Sequence, residues 1–437
     1  MQTASKKVIN GWAMYDWANS VYNLVITTTF FPVMFNLITG PDSKVFKGNI
    51  PFLGRTFVNT ALKDYALAFA YFIIVLLFPI LSSIADLKGN KKNMMRFFCY
   101  MGAISCCLLF FFDENHVTLG IVCFALAAIG FYGSLIFYNS YLPEIASEKD
   151  MDRVSAKGFS LGYIGSVILQ LIGFGLVVMM PGTYLPLKIT FLLVGIWWIS
   201  WAQIPFSRLP KGTPAVMDPT KNIFTNGFIE LRKVLKQLLK MPVLKRFLFA
   251  FFFYNMGVQT IMLAATDFGS KVLNLDSTTL IITIVIIQLV AIVGAVLMSR
   301  LSARYGNLQV LLFTVVLWIG VCSYGYFMDS KTDFFILATA VGLVMGGIQS
   351  LSRSTYSKLM PETRDTTSFF SFYDITEKIA IVIGLFIFGF IEEQTMGVGG
   401  MRNSVLAVLG FFIVGAVILV FTITKQRSLK IEQPIKK

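Results

Sequence analysis

The chain has 437 residues, of which 56% are hydrophobic and 14% are charged. Ordinary globular domains carry roughly 25% charged residues, so the composition excludes a water-soluble globular protein and predicts one that is solvated by lipid. A net charge of +14 is also compatible with nucleic-acid binding, but the sequence contains no nucleic-acid-binding motif, and we expect no nucleic-acid partner.

About twelve apolar stretches follow one another, and most of them reach the roughly 20 residues that a membrane-spanning helix needs. They lie near residues 11–37, 64–86, 94–112, 117–141, 155–180, 188–206, 246–268, 278–299, 309–328, 334–357, 368–392 and 403–424. We predict an all-α membrane protein with twelve transmembrane helices. Its parts are an N-terminal six-helix bundle (1–206), a cytoplasmic linker (207–244), a C-terminal six-helix bundle (245–424) and a cytoplasmic tail (425–437).

The basic residues are distributed unequally between the two sides of the membrane. If the N-terminus is cytoplasmic, about 27 of the 37 Lys and Arg residues lie in or beside cytoplasmic segments and about eight lie outside. This bias predicts cytoplasmic termini, and we expect the protein to lie in the cell (inner) membrane. The first apolar run is too long for a signal peptide and lacks a cleavage site, so we expect a retained helix.

The first span carries polar side chains at helical spacing. Asp16, Asn19, Ser20, Asn23 and Thr27 recur at i, i+3, i+4, i+7 and i+11, which predicts that they share one face. A carboxylate within a span is costly unless it is hydrated or paired, so Asp16 is a candidate functional residue. The alternative is that Asp16 lies near the cytoplasmic interface and only hydrogen-bonds a neighbouring helix.

Two short landmarks occur twice at nearly the same spacing. A basic turn after span two contains Gly89, and a similar turn after span eight contains Gly306, 217 residues later. A Pro-Glu pair ends at Glu144 and again at Glu362, 218 residues later. This agreement predicts two pseudo-symmetric bundles, which is the architecture of many secondary transporters.

We expect the repeated turns to act as gating loops. Asp86 is placed to accept hydrogen bonds from the first turn of a neighbouring helix, where the helix dipole favours a carboxylate, and Gly89 permits a tight reversal. A contact that forms on one side of a transport cycle and breaks on the other is a latch. The predicted gating residues are Asp86, Gly89, Glu144, Arg304, Gly306 and Glu362.

Polar stripes recur on spans five and seven. Span five carries Tyr163, Ser166 and Gln170, and span seven, the positional counterpart of span one, carries Asn255, Gln259 and Thr266. Matching stripes in both halves predict a central solute site at the pseudo-twofold interface.

The linker between the halves is predicted to contain a basic amphipathic helix near residues 227–240. Phe228, Leu231, Leu235, Leu238 and Leu239 fall on one face, and Arg232, Lys233, Lys236 and Lys240 fall mostly on the other. This pattern is typical of a helix that lies on an anionic membrane surface. A simple spacer between the halves and a regulatory partner site are the alternatives.

The tenth and eleventh spans contain four ionisable residues. Arg353 and Asp374 lie at similar distances from the connecting loop, so an antiparallel hairpin is expected to pair them, and Glu377 and Lys378 lie one turn deeper. Such groups are too costly in a membrane to be incidental. A static network of salt bridges is the alternative to a transport role. The predicted substrate or ion pathway comprises Asp16, Asn19, Asn23, Tyr163, Gln170, Asn255, Gln259, Gln349, Arg353, Asp374, Glu377 and Lys378.

We expect no cofactor and no metal site. The five cysteines form no Cys-x-x-Cys spacing, and the single histidine, His116, has no histidine partner at metal-binding spacing. A Gly-x-x-x-x-Gly-Lys-Ser/Thr phosphate-binding loop is absent from the sequence, so ATP is not expected to drive the protein. These features argue against an enzyme.

The turn after span two resembles the loop signature of the major facilitator superfamily, with Ser82 and Leu87 where the superfamily usually has glycine and arginine. The stretches Trp12–Ser20, Tyr138–Glu144 and Gly346–Ser354 resemble the "unknown major facilitator" branch, which includes the autophagy-related vacuolar amino-acid effluxers. The resemblance spans nearly the whole chain. It implies the twelve-helix fold and solute export, with amino acids as a candidate substrate class.

Together these features predict a secondary active transporter that moves a small solute by alternating access, with protons as a candidate coupling ion. We expect it to act as a monomer surrounded by membrane lipids. A lipid or amphiphile flippase on the same scaffold is the alternative, since that activity needs only an amphipathic cavity. A membrane-embedded lipid enzyme is the more remote alternative, because it would need a nucleophile and base or metal ligands at one interface.

Overall fold

The computed structural model of the chain describes residues 2–214, 222–395 and 398–432. These residues are almost entirely helical, and twelve long helical spans follow the order predicted from the sequence. The predicted twelve-helix fold class is confirmed. Parts of the predicted linker and tail, residues 215–221 and 433–437, lie outside the described residues.

The first six spans end before the linker. The first span consists of α1 (Lys6–Val21), a π-helical segment (Tyr22–Phe30) and α2 (Phe31–Thr39). The following helices are α3 (Asn59–Lys88), α4 (Lys91–Leu108), α5 (Val117–Asn139), the short α6 (Leu142–Ile145), α7 (Met151–Met179) and α8 (Leu185–Arg208).

Helix α9 (Ile223–Lys240) includes the segment 227–240 that was predicted to form the amphipathic helix of the linker. The second six spans are α10 (Pro242–Lys271), α11 (Ser277–Tyr305), α12 (Asn307–Phe327), α13 (Lys331–Leu359), α14 (Thr366–Thr395) and α15 (Val398–Glu432). Eleven spans within the described ranges are long and apolar enough to cross a membrane by composition alone. The twelfth, α14, has 30 residues but carries Asp374, Glu377 and Lys378 in its first half.

The described residues group into two compact units. The N-terminal unit contains residues 4–141 and 161–214, and the C-terminal unit contains residues 2–3, 142–160, 222–395 and 398–432. Residues 142–160, predicted from the sequence to belong to the N-terminal bundle, therefore group with the C-terminal half. Helix α7 begins in the C-terminal unit and continues into the N-terminal unit. The boundaries at residues 206 and 244 stay predictions.

A small β-hairpin interrupts the polar segment after the first span. Strands β1 (Asn49–Phe52) and β2 (Arg55–Val58) pair in antiparallel register. Leu53 and Gly54 connect them with φ of 48° and 78°, and two positive φ values are the requirement of a type I′ hairpin turn. From the sequence this segment is recognisable only as polar, because a four-residue strand offers too short an alternation to identify.

Helices α11 and α13 cross with their backbones in contact. A Cβ atom added to Gly346 would lie 2.0 Å from the carbonyl oxygen of Ala291, and one added to Gly294 would lie 2.0 Å from that of Leu343. Gly342 and Gly346 form a small-xxx-small pair on α13, a pattern that lets membrane helices approach closely. The crossing fixes α13, which carries Arg353 and Lys358.

Candidate functional site

Helices α10 and α14 bring four predicted pathway residues together inside the C-terminal unit. The Gln259 amide donates to Glu377 Oε1 at 3.3 Å and to Asn255 Oδ1 at 3.5 Å. Glu377 Oε2 lies 3.2 Å from Lys378 Nζ, although the two residues are adjacent in sequence. The Lys378 side chain is 3% exposed and that of Glu377 is 22% exposed. The result is a continuous polar network with both signs of charge.

Asp374 lies one helical turn before Lys378 and is buried, and its Oδ2 atom has no hydrogen-bond partner within the described part of the chain. The buried Nδ2 of Asn255 is likewise without a partner there. A buried polar atom without a partner is costly unless a proton, a solute or water satisfies it. Both atoms belong to the neighbourhood of the Glu377–Lys378 pair, so this region is suited to bind a polar ligand.

Arg353 does not form the expected ion pair with Asp374 in this structure. Its Nε donates to Ser155 Oγ at 3.0 Å, and its Nη2 donates to the Ser155 carbonyl at 2.9 Å. The guanidinium also lies 4.2 Å from the centre of the Phe159 ring. The start of α7 therefore offers two hydrogen-bond acceptors and an aromatic face, and a planar guanidinium can use both at once. The predicted pairing of Arg353 with Asp374 is therefore not seen within the described part of the chain.

A second polar cluster in the C-terminal unit was not predicted from the sequence. Asp152, in the first turn of α7, accepts hydrogen bonds from Ser302 Oγ, Asn307 Nδ2 and Lys358 Nζ, each at 2.7 Å. Lys358 also donates to Asn307 Oδ1 at 2.9 Å. Asp152 is 3% exposed, so this is a buried and hydrogen-bonded ion pair. We call these four residues the Asp152 cluster.

The gating turns contribute to these contacts unequally. Gly306 has φ of 91° and leads directly to Asn307 of the Asp152 cluster, whereas the exposed Arg304 lies over the ring of Tyr305. Gly89 has φ of 62°, the left-handed conformation expected for a tight reversal after α3. The gating role of these residues stays a prediction.

The carboxylate of Glu144 lies at the N-terminus of a helix. The Thr366 hydroxyl, at the start of α14, donates to Glu144 Oε1 at 2.6 Å, where the positive end of the helix dipole favours a negative charge. This is the type of contact predicted from the sequence for Asp86, which is half-buried at the end of α3. Glu362 is exposed in the loop before α14. The roles of Asp86 and Glu362 stay predictions.

The N-terminal unit has its own buried carboxylate. Asp16 Oδ2 accepts a hydrogen bond from the Tyr138 hydroxyl at 2.8 Å, and the Tyr138 ring stacks on Trp12 with 4.5 Å between centroids. Asn19, one turn further along α1, is fully buried with both amide atoms unpartnered in the described structure. A buried polar side chain with unsatisfied hydrogen-bonding groups therefore lies one helical turn from Asp16.

The other predicted pathway residues of the N-terminal unit are less closely associated. Gln170 is fully buried on α7 and donates to Thr29 Oγ1 at 3.0 Å. Tyr163 is also buried on α7, whereas Asn23 is half-buried. In the C-terminal unit, Gln349 is half-buried on α13. Whether these residues form one pathway stays a prediction.

Part of the first span is π-helical, which changes the spacing that was assumed for the predicted polar face. Its spacing assumes about 100° per residue throughout, but Tyr22–Phe30 is π-helical and its wider turns advance less per residue. Asp16 and Asn19 precede the π segment and keep their relation, whereas Asn23 and Thr27 lie within it. The single stripe from Asp16 to Thr27 therefore stays a prediction beyond Val21.

We expect Asp16→Asn to reduce transport without reducing the amount of folded protein in the membrane. The substitution keeps the size and the hydrogen-bond acceptor for Tyr138 and removes only the charge. Tyr138→Phe is the matched control, because it removes the hydrogen bond at 2.8 Å while keeping an aromatic ring against Trp12. Solute flux and its pH dependence in proteoliposomes are the measurements. Full activity of Asp16→Asn with an unchanged pH profile would exclude a role for the charge.

Comparisons with known proteins agree with this architecture. Residues 4–432 match the family described as "Vacuole effluxer Atg22 like". The chain is 34% identical over 418 residues to the MFS-type transporter YxiO of Bacillus subtilis, covering 94% of each chain. It is 24% identical to autophagy-related protein 22 of Saccharomyces cerevisiae, covering 89% of this chain and 86% of that protein. The E. coli fucose:proton symporter FucP superposes with a TM-score of 0.69 at 15% identity, covering 95% of this chain and 97% of FucP.

Proposed function

The chain belongs to the Atg22-like effluxer family of the major facilitator superfamily, and from this membership we propose that it exports amino acids by proton-coupled secondary transport. The protein is an integral, multi-pass membrane protein, and its family carries out secondary transport. The substrate class, the direction and the coupling ion are the parts that we propose. Location in the cell (inner) membrane is likewise proposed, and cytoplasmic termini are proposed from the distribution of basic residues.

The observation that carries the proposal is the ion pair of the half-buried Glu377 with the buried Lys378, beside the buried Asp374. A zwitterionic amino acid presents one ammonium and one carboxylate a short distance apart. Lys378 offers a cation for the carboxylate, and the Glu377 and Asp374 carboxylates offer anions for the ammonium. The amides of Asn255 and Gln259 supply further hydrogen-bonding groups. In a site of low dielectric, opposite charges held this way favour a dipolar solute over a sugar or a nucleoside.

The same pair provides a route for proton coupling. A proton taken up by the Glu377 carboxylate removes the negative charge that would hold the solute ammonium, so proton and solute compete for this carboxylate, which lies 3.2 Å from Lys378 Nζ. Loss of the proton restores the negative charge and favours the solute, so inward movement of a proton is exchanged for outward movement of the solute. Proton binding and solute binding at one site are thereby linked, which is the thermodynamic requirement for coupled transport.

We expect an imposed pH gradient to drive amino-acid flux by wild type and not by Glu377→Gln. The glutamine keeps the hydrogen bond from Gln259 but cannot exchange a proton, so the variant should retain only exchange between solute pools. Proteoliposomes loaded with labelled amino acids, sugars or nucleosides measure this flux and test the substrate class in the same assay.

Glu393→Gln is the matched control, because Glu393 is an exposed carboxylate near the end of the same helix. It should accumulate solute as wild type does. Equal gradient-driven flux by wild type and Glu377→Gln would leave Glu377 as a structural partner of Lys378, and the protein would then be an uncoupled facilitator. Flux of sugars or nucleosides but not amino acids would contradict the substrate class.

A further inference from the structure

Helix α9 is fixed in orientation by a narrow buried face. Gly227, Val234 and Leu238 are buried against the C-terminal unit, where α9 contacts α10 and α14. The Asn222 side chain caps the helix by accepting from the Thr225 amide at 2.8 Å. Because the inner face is held by packing, the directions of the remaining faces are set as well.

An apolar stripe lies next to the buried face and is uncovered. Phe224, Phe228, Leu235 and Leu239 recur at spacings of four, seven and four residues, which places them on one side of the helix. Their side chains are between 38% and 61% exposed. Large apolar side chains grouped this way on a surface mark an interaction site.

A basic row borders the apolar stripe on its far side. Arg232, Lys236 and Lys240 follow one another at four-residue intervals, and Lys233 lies beside them. With Ile229 and Gln237 they line an open hollow of about 550 Å³. A hydrogen bond from Lys233 to Glu230, 2.8 Å long, raises the Lys233 pKa, so this lysine stays charged. Glu230 is the one acidic residue of α9, and the face is strongly cationic.

The position of α9 in the chain places it at the membrane boundary. Only Met241, with an extended backbone, separates Lys240 from α10, and the apolar part of this membrane-spanning helix follows Lys245 and Arg246 near its start. The carboxyl end of α9 therefore lies where a span enters the bilayer. At this depth an apolar stripe reaches acyl chains and a neighbouring basic row reaches phosphate groups.

We propose that α9 binds the anionic phospholipid surface of the leaflet at which α10 begins, with its apolar stripe among the acyl chains and its basic row on the headgroup phosphates. The alternation of a buried face, an apolar stripe and a basic row around one helix matches the three environments at this boundary: protein, hydrocarbon and headgroup. Long lysine and arginine side chains extend from the helix to the phosphates while their methylene stems cover apolar surface. The interaction requires no solute and is independent of the transport mechanism.

The test measures the depth of α9 in the membrane with the full-length protein. A cysteine introduced at Leu239 is labelled with an environment-sensitive fluorophore, and the protein is placed in nanodiscs of brominated phosphatidylcholine with or without phosphatidylglycerol. Of the native cysteines, four are buried and Cys107 is half-buried, and wild type without the new cysteine gives the background labelling. We expect bromine to quench the label most strongly in the discs that contain phosphatidylglycerol.

Removing three charges in R232Q/K236Q/K240Q should release the helix. Each basic residue near an anionic surface contributes to the binding free energy of the helix. Loss of three such residues is expected to lower the ratio of membrane-bound to released helix by on the order of 100-fold. Quenching in anionic discs should then fall to the level of neutral discs. R232K/K236R/K240R retains the charges and should retain the quenching. K6Q/K7Q/R427Q removes the same number of exposed charges elsewhere and should leave it unchanged.

Three outcomes would overturn the proposal. Quenching that is independent of phosphatidylglycerol and of the three charges would show that the basic row is not used. A label that stays in water in every disc would indicate that the stripe serves a soluble protein partner. Displacement of the helix by inorganic phosphate, at an ionic strength matched with sodium chloride, would indicate a site for a soluble anion.

Discussion

Asp152→Ala is expected to destabilise the protein by about 3 to 5 kcal/mol, because removing one partner of a buried ion pair leaves the other charge uncompensated. Lys358 Nζ lies 2.7 Å from the Asp152 carboxylate, and the two side chains are 15% and 4% exposed. The substitution also removes one acceptor each from Ser302 Oγ and Asn307 Nδ2, which keep hydrogen bonds to the Ser299 carbonyl and to Thr355 Oγ1. Thermal unfolding of the purified protein in detergent measures the change.

A double-mutant cycle separates the pair from its surroundings. Lys358→Met keeps the aliphatic stem, so the variant carrying both changes should be more stable than Asp152→Ala alone, since it leaves no buried charge unpaired. Arg153→Ala is the neighbouring control, because its ion pair with Asp150 is exposed and surface pairs contribute less than about 1 kcal/mol. Simple additivity of Asp152→Ala and Lys358→Met would exclude energetic coupling.

Gly346→Ala is expected to destabilise the protein. Overpacking typically costs about 1 to 3 kcal/mol, and we expect at least that loss here. The added Cβ would lie 2.0 Å from the carbonyl oxygen of Ala291, and a backbone atom in a helix cannot move aside as a side chain can. Helices α11 and α13 must then separate along their whole crossing. The melting temperature of the purified variant is the measurement.

Gly320→Ala on α12 is the matched control, because nothing lies within 4 Å of a Cβ added there. Alanine is favoured over glycine inside a helix by about 0.5 to 1 kcal/mol, so this control should leave the melting temperature unchanged or raise it slightly. We therefore expect Gly346→Ala to lower the melting temperature and Gly320→Ala not to lower it, because only Gly346 lies at the helix crossing. A similar melting temperature for both would show that the helices tolerate a wider separation.

Most of the fold was predictable because each span repeats the same strong signal. The apolar stretch near 155–180 corresponds to α7 at Met151–Met179, and that near 309–328 corresponds to α12 at Asn307–Phe327. The hairpin at residues 49–58 and the π-helical segment were not predicted. Both depend on local backbone conformation, which the length and apolar character of a stretch do not determine.

The candidate site was predictable where its residues lie on one helix or on two helices of the same hairpin. Glu377 and Lys378 are unusual within a span, and the spacing of Asn255 and Gln259 gives a helical stripe. The partners of Asp152 could not be predicted, because Lys358 is 206 residues away and acidic and basic residues at span ends are normally solvated. Arg353 was placed correctly on its helix, but its hydrogen bonds to Ser155, 198 residues away, could not be predicted from the spacing of the hairpin.

The π-helical segment from Tyr22 to Phe30 uses more residues per turn than an α-helix of the same length would use. An α-helical turn takes 3.6 residues, whereas this segment hydrogen-bonds to the fifth preceding residue, as Phe31 does to Ile26, and so takes more. A related chain with about one or two residues fewer here can close the segment into regular α-helix. The faces of α1 and α2 would then keep their orientations. We therefore expect the first span to tolerate variation in sequence length within this segment without a change in the direction of Asp16 or of the residues after Phe31.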